Sequence, residues 1–241
     1  MIIDQTTNDP NKLGFGGYHM KQILKNRLDV IFIFGIIILY IAFLGLDIFL
    51  APRSLLSRSF KYASIVLCFL LSTSLFFNSE NKRDSKYVVI ALMFTMIADI
   101  FLLFTHHKVI GIFFFCLVQL TYLKRYHLQI FITGIYFVVI SMIAYLVLPL
   151  QLLYIIAGLY AILILSCMIS TFKTELPKFN LYCVRIGMIL FILCDINVAL
   201  FNELSRNFSY YRFISIAIWL FYLPSQLLLA LSASHTRVDN I

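Results

Sequence analysis

Between residues 29 and 233 the chain is a nearly continuous series of apolar runs. Eight can be drawn, near 29–50, 60–77, 87–104, 109–123, 128–148, 150–169, 183–201 and 213–233. Short polar or helix-breaking stretches separate them: Pro52 with Arg53, Asn78 to Lys86, His106 to Lys108, Lys124 to His127, Pro149 alone, Lys173 to Asn180, and Asn202 to Arg212. A hydrocarbon layer of about 30 Å needs roughly 20 helical residues to cross it, so the runs have membrane length. Inside lipid only helices and closed barrels satisfy their own backbone. Barrel strands are short and alternating, whereas these runs are continuous. The chain is 62% hydrophobic and 12% charged, against about 25% charged in soluble domains. The expected fold is all-α: a polytopic membrane helical bundle of about eight transmembrane helices.

This reading divides the 241 residues into a polar N-terminal tail over 1–27, a single eight-helix domain over 28–234 and a short C-terminal tail over 235–241. The N-terminal tail has no apolar core and no small-residue cleavage pattern, so it does not read as a signal peptide. Of the 19 Lys and Arg residues, 13 fall on the N-terminal side of the alternating loops and six on the other. The positive-inside rule then places both termini in the cytoplasm. The net charge of +8 reads as an orientation signal and an affinity for lipid headgroups, with no basic run that points to nucleic acid. The five cysteines are scattered, have no CxxC spacing and read as small buried hydrophobes.

Two acids interrupt this pattern. Asp99 sits in MFTMIADIFLLF and Asp195 in LFILCDINVALF. A carboxylate at the centre of a membrane helix costs roughly 2.5–3.5 kcal/mol on insertion scales, and its default reading is an inward-facing functional group. Both acids lie past the midpoint of outward-running helices, so they share a depth in the outer half. Asp47 and Lys61 fall near the same level, which suggests a polar cavity. The apolar–Asp–Ile echo recurs four spans apart, the spacing of a parallel repeat. Helical spacing adds companions. Thr95 and His106 share the face of Asp99, and Asn202 that of Asp195. Gln119 and Tyr122 lie three apart, and Trp219, Tyr222 and Gln226 form a stripe. Each has a plainer reading: a Gln or Tyr as glue between helices, aromatic residues near helix ends as interface anchors, Asp47 as a headgroup contact. His106 and His107 flank a turn and read as solvated, and no metal site is expected.

None of the motifs GxSxG, HExxH, Walker A or GxGxxG is placed where it can work, so any chemistry falls to carboxylates and water. FTMIADIFLLF followed by Gly111, Phe115, Gln119 and Tyr122, then GMILFILCDINVALF, then FYLPSQLLLALS with Tyr222 and Gln226, resembles the YhhN-like lysoplasmalogenase family of eight-span membrane proteins. Lys61 and the Tyr160–Ala161 pair are weaker matches. The chain departs from the family pattern at Ala98 (usually glycine), Cys194 (usually serine) and Gln119 (often histidine). The last change replaces a titratable ring with a neutral amide.

The resemblance implies hydrolysis of the vinyl-ether bond of lysoplasmalogens to a fatty aldehyde and a glycerophospho-base, with no cofactor. It points to Asp99 and Asp195 as the catalytic pair. That chemistry needs a protonated acid beside a carboxylate that stabilises positive charge or activates water, the division of labour seen in glycosidases. Two carboxyls at one depth in a low-dielectric pocket tend to hold one proton between them, and either can be the acid. Gln119, Tyr222 and Gln226 are candidates to orient water or the headgroup phosphate, Lys61 to offset the phosphate charge, and Thr95, Tyr122, Tyr160 and Asn202 to line the site, with Asp47 as a further possibility. The expected partners are a lysophospholipid substrate and membrane lipid. Paired intramembrane acids suit a small ion-coupled transporter equally well, although the chain has no matched pair of Gly/Pro-interrupted spans. A lipid-binding or sensing protein with altered chemistry is a further alternative.

Overall fold

A computed structural model describes residues 26–49, 54–126, 152–203 and 211–234. Among these residues the chain forms seven α-helices and no strand: α1 (Arg27–Phe49), α2 (Leu55–Asn78), α3 (Lys82–Phe104), α4 (Lys108–Arg125), α5 (Leu152–Thr171), α6 (Lys178–Glu203) and α7 (Tyr211–Leu231). Six of them are long and apolar enough to cross a membrane. The seventh, α4, has 18 residues and carries Lys108, Lys124 and Arg125 at its ends. The expected span over 128–148 and both terminal tails lie outside the described residues, apart from Asn26 and Arg27.

Several helices begin before the apolar run that marks them. The Ser54 side chain accepts from the Ser57 N–H at 3.2 Å and starts α2 five residues ahead of Phe60. Asn81 caps α3 through the Asp84 N–H at 3.1 Å. The Leu181 N–H donates to the Pro177 carbonyl at 2.9 Å, so α6 starts in the polar linker. Hydropathy marks the stretch that suits lipid, whereas the hydrogen-bonded helix runs on to a residue that can satisfy its free N–H groups.

Consecutive helices pack on one another, and α7 also touches α1, α2 and α3. It is the central post of the bundle. In its most apolar stretch 56% of residues are buried, against 17% in α1, whose outer face is Ile and Phe. Pro224 lies inside α7 and has no N–H to give the carbonyl of Leu220, four residues back. Tyr40 of α1 donates its hydroxyl to that carbonyl at 3.0 Å, so the bond lost inside α7 is replaced from a neighbour, as a helix in lipid requires.

Two glycines sit at close helix contacts near the two acid-bearing helices. A Cβ at Gly111 of α4 would lie 2.7 Å from Leu102 and 3.2 Å from the Ala98 carbonyl, beside Asp99. A Cβ at Gly187 of α6 would lie 3.1 Å from Leu229 of α7. The Gly187 carbonyl accepts from Ser225 Oγ at 2.8 Å.

Candidate functional site

Asp99 of α3 is buried, and Tyr222 of α7 donates its hydroxyl to Asp99 Oδ2 at 2.8 Å. Asp195 of α6 is half-buried, and Tyr160 of α5 donates to Asp195 Oδ2 at 2.6 Å. Each acid thus has its own tyrosine from an adjacent helix. Among the described residues neither Oδ1 receives a hydrogen bond, so each carboxyl keeps one oxygen for a further partner. A buried carboxylate loses its water, and a charge-assisted hydroxyl bond replaces part of that loss.

Phe115 of α4 joins the two pairs. Its ring centroid lies 5.9 Å from that of Tyr160 and 6.4 Å from that of Tyr222. Phe191 of α6 completes the layer, 5.8 Å from both Phe115 and Tyr222. Both acids therefore belong to one aromatic-walled layer built from α3 to α7.

Lys61 and Asp47 form a buried ion pair at 2.6 Å. Ser57 Oγ, one turn before Lys61, donates to Asp47 Oδ1 at 2.5 Å. The Lys61 ammonium lies 5.1 Å from the centre of the Trp219 ring, which in turn meets Tyr222 edge-on at 5.2 Å. The pair thus adjoins the Asp99–Tyr222 pair through one indole ring.

The remaining candidates divide. Gln119 and Gln226 are buried, and neither amide has a hydrogen-bond partner among the described residues. Tyr122 is buried, stacked on Tyr126 at 6.3 Å, and its hydroxyl is likewise unpartnered. Thr95 is buried and donates to the Ala91 carbonyl of its own helix at 3.1 Å. Asn202 is exposed at the end of α6, where it accepts from Lys108 Nζ at 2.9 Å. His106 and His107 are exposed. All five cysteines are free and buried, and among the described residues no three metal-ligating side chains come together.

Two contributions escape a reading of the sequence alone. Ser57 is one of many serines at helix starts, although its spacing of four from Lys61 puts both on one face. The other is a network at the opposite end of the bundle. Arg125 grips Asp84 through Nε at 2.9 Å and Nη2 at 2.7 Å, and donates to Ser232 Oγ and to the Ser232 carbonyl, both at 2.8 Å. Asn180 donates to the carbonyls of Ser232 and Ser234, and Ser85 to that of Ala233.

The apolar helices and the buried acid–tyrosine layer define an α-helical membrane protein with a polar interior. The YhhN family model matches residues 56–233, and the chain belongs to the YhhN family. The match contains both acids and both tyrosines; α1 with Asp47 precedes it. No curated protein and no solved structure matches the chain.

Proposed function

We propose that the protein is a multi-pass membrane hydrolase that cleaves the vinyl-ether bond of a lysoplasmalogen. It would span the membrane eight times as a single domain, with both termini in the cytoplasm. The observation that carries the reading is the pairing of each acid with its own tyrosine in one aromatic layer, with one oxygen of each acid left open among the described residues. One carboxyl delivers a proton to the vinyl carbon remote from the ether oxygen, and the cation that forms is shared between carbon and oxygen. The other carboxylate stabilises that cation and takes a proton from the attacking water. The hemiacetal then collapses to aldehyde and alcohol, with one water consumed overall. Each tyrosine fixes its carboxyl against rotation, and Phe115 and Phe191 supply faces for the cation. The half-buried Asp195 and Tyr160 form the side open to an incoming single-chain lipid.

The test is aldehyde release from a lysoplasmalogen by purified protein. Asp99→Asn and Asp195→Asn are each expected to lower turnover by about 1000-fold, within the range of a lost general acid or base, while the protein still melts as a folded bundle. Full activity in either variant would sink the shared-site mechanism. Aspartate-dependent flux across a sealed vesicle, with no aldehyde formed, would favour the carrier reading instead.

A further inference from the structure

The unpartnered amides lie at a defined level. Phe115 of α4 meets Tyr222 of α7, and Arg125 of α4 bonds Ser232, the residue just after α7. Both pairs are 107 positions apart, so α4 and α7 run in the same direction in fixed register. Gln119 and Gln226 have the same separation and fall between the two contacts, at one level about one turn below the acid layer. On α3, Thr95 lies one turn below Asp99 and reaches the same level. α4 packs closely on α3 and α5, and it meets α7 through side chains such as Phe115 against Tyr222.

The amides are close to fully buried, at 0% and 1% exposure, and their nitrogens and oxygens lack partners among the described residues. The Tyr122 hydroxyl, one turn further toward Arg125, is in the same condition. Buried polar groups are normally bonded to protein or to ordered water. A primary amide both donates and accepts, which suits water.

We propose that Gln119, Gln226 and Tyr122 frame an internal water site beneath the acids, the store from which the hydrolytic water is drawn. Its role rests on the vinyl-ether hydrolase reading; its existence rests on the geometry. A phosphate headgroup suits this level poorly. The amides are neutral, Arg125 is committed to Asp84 and Ser232, and Lys61 is held by Asp47. An anion here would also lie beside two carboxyls. The reaction consumes one water per turnover in surroundings that exclude it, and the site stands one turn from Asp99.

The experiment uses the full chain in detergent and two readouts. The first is radiolytic hydroxyl labelling, in which X-rays convert bound water to radicals that mark adjacent side chains. Tyr122 is expected to be labelled in the wild type and several-fold less in Gln119→Leu/Gln226→Leu. Replacing both buried, unpartnered amides with apolar groups of similar size is expected to leave the melting temperature unchanged or higher, so the comparison is made on folded protein. The second readout is steady-state turnover, in which the same variant is expected to lose about 100-fold in kcat, the scale of a misplaced reactant, with KM unchanged. Unlabelled Tyr122 in the wild type would overturn the water site. A raised KM with kcat kept would overturn it in favour of a headgroup site. If the wild type releases no aldehyde, the hydrolase reading fails, and the labelling alone still decides whether water is held there.

Discussion

The bundle treats buried charge differently at its Arg125 end and in its acid layer. At the Arg125 end, all three guanidinium nitrogens are engaged: Asp84 is gripped by two of them, and Ser232 receives the rest. The carbonyls of Ser232, Ala233 and Ser234, in the turn that follows α7, are taken by Arg125, Asn180 and Ser85. In the acid layer, among the described residues, each carboxyl has one tyrosine and one open oxygen, and the amides below have no protein partner. A buried charge bonded on every side holds helices together; one with capacity left over can receive a ligand or a proton. The two regions are also connected. The lock fixes the height of α7 against α3, α4 and α6, and so sets where Tyr222 meets Asp99.

The lock is where the largest stability change is expected. Arg125→Met leaves Asp84 at the bundle end without its guanidinium and should destabilise the protein by about 3–5 kcal/mol, measured as a lower melting temperature in detergent. Adding Asp84→Leu should restore most of the loss, because an apolar pair can replace a buried ion pair. A single variant that melts like the wild type would erase the contrast between the two regions. Asp99→Asn and Asp195→Asn are the mirror case: little stability lost and nearly all turnover gone.

The tyrosines come next. Tyr222→Phe and Tyr160→Phe keep the ring packing and remove one charge-assisted hydrogen bond each, worth about 1.5–3 kcal/mol. A loss of about 10- to 100-fold in kcat is expected, smaller than for either acid. If Tyr160→Phe has no effect while Tyr222→Phe does, the two pairs are not equivalent, and the half-buried Asp195 needs only solvent or lipid-side contacts to work.

The acids were legible because a carboxylate in an apolar run stands out against everything around it. Tyr222 and Gln226 followed from one helical stripe. The pairings were not legible, since Asp99 and Tyr222 lie 123 positions apart and Asp195 and Tyr160 lie 35 apart. Nothing local to either residue states its partner. Tyr160 looks like any aromatic residue in a membrane helix, and only the resemblance to the family drew attention to it. Arg125 and Asp84 were invisible for the opposite reason. They sit at helix ends, where a charge is ordinary, and only the packed structure shows that these ends are buried against the last turn of α7. Pro224 left no mark on the apolar pattern either, because Tyr40 supplies the missing hydrogen bond from another helix.

The smallest effect is expected at Asn202, and it sharpens where the acid layer ends. Asn202 lies two turns beyond Asp195, so by spacing alone the two share a face of α6. The face changes character between them. Asp195 points at Tyr160, whereas Asn202 is exposed, donates to its own helix at the Val198 carbonyl and accepts from Lys108 at the start of α4. Such a contact between exposed groups is worth little, and a substitution there falls within about 0.5 kcal/mol. Asn202→Ala should therefore leave aldehyde release within about twofold of wild type and the melting temperature nearly unchanged. A large loss of turnover in Asn202→Ala, with the fold intact, would mean that the substrate reaches along α6 to its end. The working region would then be a groove running toward the Lys108 side, with the layer around Phe115 as its deepest point.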